Sequence, residues 1–564
     1  MTISGLGTRP AALERLASTS TGEPLDLLVV GGGITGAGTA LDAAARGLKV
    51  GLVERYDFAS GTSSKSSKLV HGGLRYLEQR EFGLMREAAA ERDLLRRLAP
   101  HLVEPVPMVL PIPDRKARAF FGVGLWAYDA LATFRNLHVH RYIDGAETHQ
   151  LVPPLPDGKV RGGFLFYDCK TDDVRLVVEL LVQACRYGAV VANHAAVRSV
   201  EGSIGICSAL VEDSVTGATL EVRARRVVVA AGVWTDEVEG LARAGAPARL
   251  RPSKGIHLVF SKRDLPMAQS AAFIPDVTRK RMLFVIPWLD SVIVGTTDSS
   301  YSGSLDHPTV DADDRTYCLD SLNAIFGLDL GPEDIAGAYA GLRPLVAGKA
   351  GATADLSRKH AIYEIAPGVT GITGGKLTIY RRMAKDVVDR VADDLGRGGR
   401  SRTRWIKLGC SDLGALTAAV QRRALKLGIE PRRAANLIRA YGDRAIAVLD
   451  LAGELGMTAP LVPGRLPLAA EAVYAARAEM VCHLSDLLAR RTRLALVDRA
   501  AGIGSSAAID VLGDEHGWSA PERQRQKSAY RIEIETERGM PLGPESRAGR
   551  PAAGRGTQEE AGAG

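Results

Sequence analysis

Residues Leu25 to Gly38 read LDLLVVGGGITGAG. The first six are apolar apart from Asp26 and stop at glycine, the texture of a strand covered on both faces of a parallel sheet. Gly31, Gly33 and Gly36 then form G-x-G-x-x-G, and TALDAAARG (Thr39 to Gly47) continues as a helix of small residues. The first glycine permits a tight turn, the second lets the backbone approach a pyrophosphate, and the third lets helix and strand pack closely. The helix N-terminus directs partial positive charge at the same pyrophosphate. LKVGLVE (Leu48 to Glu54) is a second strand and completes a βαβ unit. Glu54 stands about twenty residues beyond the glycines, where a carboxylate accepts ribose hydroxyls and repels a 2′-phosphate. The stretch predicts a Rossmann-like α/β domain that binds FAD or NAD rather than NADP.

Two later junctions favour the longer dinucleotide. VVVAAGVWT (Val227 to Thr235) is an apolar strand broken by small residues, and GITGGKLT (Gly371 to Thr378) offers backbone amides at a helix start. Three glycine-rich junctions spread over much of the chain suit one extended FAD lying across one domain.

The 564 residues exceed what a single core supports, so two or three domains are expected. Residues 1–24 read as a flexible leader, and 25–395 as an FAD-binding domain with an interleaved substrate domain. The patch GRGGRSR (Gly396 to Arg402) marks a boundary, 403–520 reads as a helical cap, and 521–564 as a disordered tail. Residues 100–160 look Pro-rich and irregular, with a short helix near Val123 to Phe134. Six scattered cysteines form no C-x-x-C pair and fit a reducing compartment, and no metal site is expected. With no apolar signal segment at the N-terminus and no apolar run of spanning length, the expectation is a cytoplasmic protein whose membrane contact is peripheral. A net charge of +7 favours anionic partners.

Beyond these features the sequence resembles the FAD-dependent, quinone-linked glycerol-3-phosphate dehydrogenases. The match is carried by GGGITGAG, TSSKSSKLVHGGLRYLE (Thr62 to Glu78), YDCKTDDVRL (Tyr167 to Leu176), AAGVWTD and KGIHLV (Lys254 to Val259). It continues through VIPWLD, VGTTD, YAGLRPL (Tyr339 to Leu345), GGKLTIYR (Gly374 to Arg381) and DLLARRTRLAL (Asp486 to Leu496). The resemblance implies an FAD domain of the D-amino-acid-oxidase-like (GR2) type, an antiparallel-sheet substrate domain and an all-α cap. It also implies oxidation of sn-glycerol 3-phosphate to dihydroxyacetone phosphate, with electrons passed to a quinone at the inner face of the cell membrane.

Such a reaction needs cations for a phosphate dianion, a group to orient the carbinol and an acceptor for its proton. By resemblance, Arg75, Arg358 and Lys376 are the phosphate set, with Tyr76 and Thr378 beside them. Arg343 and His257 are placed near the reacting carbon. His257 is the more natural proton acceptor, because imidazole titrates near neutrality, and Arg343 stabilises a developing alkoxide. The sequence does not rank the two. The FAD contacts implied are Gly31, Gly33, Ile34, Thr35, Gly36 and Glu54, then Thr62, Ser63, Ser64, Ser67, Lys68, Leu69, Gly72 and Gly73. Val197, Ala231, Gly232, Trp234, Gly375, Lys376 and Leu377 complete them. Lys65 departs from the small residue common at its position in the family, and its long chain is expected to reach solvent or the FAD phosphates. Lys254 reads as a strand cap.

Residues 401–500 hold about 16 Lys and Arg against about 9 Asp and Glu, so the cap is a candidate for contact with anionic lipid. A homodimer is compatible with the sequence. Rival readings are a glycerol-3-phosphate oxidase using oxygen, an amine or amino-acid oxidase, and a flavin-containing RNA-binding protein. The last is disfavoured by the scarcity of aromatics for base stacking, so no nucleic-acid partner is expected.

Overall fold

The computed structural model describes residues 5–73, 81–131, 138–156, 158, 160–276, 281–346 and 360–543. Strand Leu25–Val30 is buried at every position, as an unbroken apolar run requires when both sheet faces are covered. It pairs in parallel with Val50–Val53 on one side and Thr219–Val229 on the other. Val190–Ala192 and Val369–Thr373 extend this parallel core. Antiparallel strands at its margins bring the sheet to eight strands. Helix Ile34–Ala45 lies against the first two strands, flanked by helices Asp173–Arg186 and Tyr380–Leu395.

The second layer is a ten-stranded sheet. Its pairings are antiparallel except where Ala271 and Ala272 run parallel to Met108 and Val109. Its longest pairing joins Leu250–Ser261 to Ile335–Val346 and sets His257 opposite Tyr339 and Ser253 opposite Arg343. The C-terminal part is helical from Leu413 onward. One of its apolar clusters is its own, around Val420, Leu437, Val448 and Leu449, while a second joins it to Val259, Ile293 and Tyr339 of the ten-stranded sheet. Buried ion pairs tie the parts together: Arg444 to Glu179 at 2.8 Å, Arg175 to Glu479 at 2.9 Å and Arg491 to Asp57 at 2.8 Å.

Three sequence expectations differ from this fold. Within the expected flexible leader, Arg9–Ala17 is a helix with Pro10 in its first turn. Leu6 and Leu16 are buried, and Arg9 donates to the carbonyls of Asn193 and His194 and pairs with Asp213. Two leucines and one arginine are too few to show as periodicity, yet they anchor the segment. The expected disordered tail likewise begins with helix Ala520–Arg538. Ser519 caps it by accepting from the Glu522 N–H, and Gly539 ends it in the left-handed region. Its buried stripe of Tyr530, Ile534 and Arg538 has i, i+4, i+8 spacing, too thin to register in composition. The irregular region also resolves into regular elements, strand Glu104–Ile112 and helix Arg115–Leu131. Pro105, Pro107 and Pro111 fall at alternate positions, so their missing N–H groups face one way and leave the opposite side of the strand free to pair.

Candidate active site

The dinucleotide turn owes its shape to glycine at two places. Gly31 has φ +114°, and a Cβ there would lie 2.5 Å from the Ala230 carbonyl oxygen. A Cβ on Gly36 would fall far inside the Gly31 carbonyl oxygen, so helix and strand touch through bare backbone. The Ile34 N–H, at the helix N-terminus, donates to Ser63 Oγ at 2.9 Å. Glu54 accepts from the Gly32 N–H at 2.6 Å and from the Tyr56 N–H at 2.9 Å, which holds its carboxylate beside the turn. Burial raises its pKa, and those two N–H groups oppose the shift.

The 62–67 loop ties this turn to the second sheet. Thr62 Oγ1 donates to the Leu342 carbonyl at 2.6 Å, and the Tyr339 hydroxyl donates to the Ser66 carbonyl at 2.8 Å. Ser67 Oγ lies 2.8 Å from His257 Nε2. The His257 ring stacks on Tyr339 with centroids 4.9 Å apart and planes 14° from parallel. Arg343 projects from the neighbouring strand. Its Nη1 reaches Ser253 Oγ at 3.3 Å and Asp298 at 3.2 Å, while Nη2 reaches Thr296 Oγ1 and the Thr297 carbonyl, each at 3.1 Å.

A cavity of about 430 Å³ runs between the two sheets, past Gly31, Glu54, Ser67, His257, Arg343 and Lys376. Of the expected FAD contacts, Gly33, Ile34, Thr35, Thr62, Ser63, Leu69, Val197, Ala231, Gly232, Trp234, Gly375 and Leu377 also line it, as does Thr378. Others lie off it. Gly36 serves helix packing, and Ser64 Oγ turns back onto the Gly61 carbonyl of its own loop. Gly72 donates its N–H to Asp168, and Gly73, with φ +82°, shapes the following turn. Lys68, expected at the cofactor, is fully buried in an ion pair with Asp173 at 2.8 Å. Its ammonium sits 5.0 Å over the Tyr339 ring, and burial pushes its pKa down to about 7 despite Asp173. Lys65 lies on the cavity wall, and its ammonium pairs with Glu537 of the C-terminal helix. Lys254 pairs with Asp311 and Asp314. Arg75, Tyr76 and Arg358 lie outside the described residues.

Three glycines inside strands were missed as site residues. A Cβ on Gly255 would occupy the place of the Arg343 guanidinium, one on Gly295 would meet His257 Cδ2 at 2.5 Å, and one on Gly341 would meet the Lys65 carbonyl at 2.7 Å. Each clears a slot for a functional group. Glycine within a strand is itself the readable signal, since it weakens a strand unless something must come close.

The residues present suit FAD. The bare-backbone turn leaves room for a pyrophosphate, Glu54 is set for a ribose, and Gly374 and Gly375, with φ of +78° and +73°, present backbone at the cavity's far wall. His257 Nδ1 is buried and makes no hydrogen bond among the described residues, an orphaned polar atom that a bound ligand would satisfy. Comparison with known proteins agrees. Residues 26–381 match the FAD dependent oxidoreductase family, and residues 401–523 match the C-terminal domain of alpha-glycerophosphate oxidase. Glycerol-3-phosphate dehydrogenase 2 of Mycobacterium tuberculosis is 39% identical over 543 residues, covering 94% of this chain and 91% of the relative. The chain belongs to the FAD-dependent glycerol-3-phosphate dehydrogenases.

Other members of the family align as fully. Aerobic glycerol-3-phosphate dehydrogenase of Bacillus subtilis is 34% identical, covering 91% of this chain and 95% of its own. The glycerol-3-phosphate dehydrogenase from Bacillus halodurans, solved with FAD, superposes with a TM-score of 0.78 at 29% identity, over 97% of this chain and 100% of that one. As a glycerol-3-phosphate dehydrogenase of this type the chain binds FAD, and Gly36→Val should yield a colourless protein. The ratio of flavin to protein absorbance in the purified variant checks this, and a normal yellow preparation would contradict it.

Burial, followed by the charges of Lys68 and Arg343, pushes the His257 pKa down to about 3 from an ordinary 6.5. The unfolded chain takes up this proton as pH falls below 6.5 while the folded protein does not. Stability is therefore lost as pH drops from 6.5 towards 3, by up to about 1.4 kcal/mol per pH unit from this group. In His257→Gln the fall of the unfolding midpoint with acidification should be shallower than in the wild type. Identical slopes would contradict the assignment.

Proposed function

We propose that the protein oxidises sn-glycerol 3-phosphate to dihydroxyacetone phosphate and delivers the electrons to a membrane quinone from a peripheral position on the bilayer. The observation that carries this reading is the placement of Arg343, His257 and Lys376 on one cavity with the dinucleotide turn. A cationic, partly apolar pocket suits a small phosphorylated alcohol, and the carboxylates on its wall are already engaged: Glu54 by the Gly32 and Tyr56 N–H groups, Asp168 by Arg92 and Glu237 by Arg55.

FAD, when bound, supplies the acceptor for the hydride leaving the secondary carbon. The chain's own groups do the rest. Lys376 contributes cationic charge for the phosphate, and Arg75 and Arg358, from the sequence, join it. Arg343 holds the carbinol oxygen and stabilises it as negative charge develops. With Nε2 engaged by Ser67, Nδ1 of His257 is the atom that receives the hydroxyl proton. Its depressed pKa makes that transfer costly in the free enzyme. A bound dianion offsets the charges of Lys68 and Arg343 and brings the imidazole back towards its ordinary range.

The test is glycerol 3-phosphate-dependent reduction of a short-chain quinone under argon, with oxygen uptake measured separately in air without quinone. Quinone reduction far faster than oxygen uptake is expected. Peroxide formation at the quinone-supported rate would make the protein an oxidase, and turnover of sarcosine in place of glycerol 3-phosphate would make it an amine oxidase.

A further inference from the structure

We propose that the outer face of helix Arg115–Leu131 is the surface that docks on an anionic lipid bilayer. The proposal rests on the quinone-linked reading above and replaces the cap as the contact. Part of the cap's positive charge is internal: Arg444, Arg490, Arg491 and Arg493 are all buried against Glu179, Glu479, Asp57 and Asp173, and its exposed cations, such as Arg422, Arg423 and Lys426, border no apolar stripe of this kind. On helix Arg115–Leu131 the reverse holds. Phe120 is 73% exposed, Val123 73% and Trp126 59%, and their spacing of three residues puts them on one face. Exposed Ala119 and Ala130 continue that face, and Arg115, Lys116 and Arg118 are exposed at its N-terminal end. After the first turn the helix carries one acid, Asp129, and that is buried against His140. Elsewhere among the described residues Trp405, Leu425 and Ile532 are exposed on separate elements, and Ile204 and Ile206 share one short turn between strands, as soluble surfaces allow. A stripe of Phe, Val and Trp bordered by cations is the composition of a helix lying in a lipid interface, the apolar side sunk into acyl chains and the cations at anionic headgroups.

The underside of the helix gives the position a purpose. Leu125 is buried and Phe121 packs beside it on an apolar layer of the ten-stranded sheet. A Cβ on Gly122 would lie 3.2 Å from Phe164, so the helix sits close to that layer. Met108, Phe166, Phe273 and Phe284 belong to the same layer and also line the cavity beside His257 and Arg343. A lipid-facing helix here separates bilayer from redox cavity by one apolar layer, the arrangement a lipid-soluble acceptor requires.

The test compares the holoenzyme with F120S/V123S/W126S and with R115Q/K116Q by cosedimentation. The vesicles are phosphatidylcholine with about 30% phosphatidylglycerol, or phosphatidylcholine alone. Wild type should partition onto the mixed vesicles in a salt-sensitive way. The triple variant should partition about tenfold more weakly or less, and R115Q/K116Q should lose the preference for the anionic lipid. Bleaching of the flavin by glycerol 3-phosphate in solution should be equal in all three. Its absence from the wild type would sink the proposed reaction and leave the vesicle result readable. Equal partitioning of wild type and triple variant overturns the proposal. So does unchanged partitioning with a halved mass in solution, which would make the face an interface between copies of the chain.

Discussion

Arg343→Ala is expected to lower kcat/KM for glycerol 3-phosphate by about 10²–10³-fold, with most of the loss in kcat. The expectation follows from where the guanidinium is held. Four acceptors from two segments fix both Nη atoms, and Gly255 supplies the slot they occupy. A donor fixed before the substrate arrives needs no reorganisation when negative charge grows on the carbinol oxygen, so its effect belongs to the transition state rather than to binding. Arg343→Lys should recover little, because an ammonium cannot span Asp298 on one side and Thr296 on the other. Stopped-flow reduction of the flavin under argon separates the step from product release. A rate within threefold of wild type in Arg343→Ala would remove Arg343 from the chemistry.

Glu479→Gln is expected to destabilise the protein by about 3–5 kcal/mol. The carboxylate is fully buried and faces three guanidinium groups: Arg175 at 2.9 Å, Arg444 at 2.8 Å and Arg491 at 3.4 Å. Burial alone would raise its pKa, but those cations hold it below the usual range. Neutralising it leaves Arg175 and its neighbours with too little negative charge in a site water does not reach. Glu479 and Arg444 belong to the helical part and Arg175 to the FAD part, so the damage falls on the docking of one upon the other. The unfolding midpoint in urea should fall, and protease should cut between about 396 and 402 sooner, since boundaries of this kind are the exposed linkers. Arg477→Ala removes an exposed pair with Glu515 and should cost about 1 kcal/mol or less. Similar losses from the two variants would refute the burial argument.

The features legible in the sequence were those encoded over short spans. Gly31, Gly33, Gly36 and Glu54 follow from local turn and strand geometry, and their spacing specifies the ligand as well as the fold. His257 and Arg343 lie 86 positions apart, and only resemblance brought them together. The strand pairing that seats them on adjacent strands is a property of register. Lys68 shows the limit of motif reading, since it stands within a cofactor loop yet points away from the cavity to Asp173, itself part of another motif. Some cap arginines counted as surface charge, Arg444, Arg490, Arg491 and Arg493 among them, are internal partners, because composition does not tell a solvated guanidinium from a buried one. Helices Arg9–Ala17 and Ala520–Arg538 each bury a handful of side chains, below what periodicity detects. The in-strand glycines were visible and went unused, because their purpose is set by side chains from elsewhere.

The central claim is that cations from distant segments hold a phosphorylated alcohol against the flavin. It is tested most directly by mixing the oxidised, purified protein anaerobically with sn-glycerol 3-phosphate, and separately with glycerol, while recording the flavin absorption band. Rapid and complete bleaching by the phosphate ester, with glycerol orders of magnitude slower at equal concentration, is the predicted result. Equal bleaching by both alcohols, or none by either in a fully flavinated preparation, would contradict it.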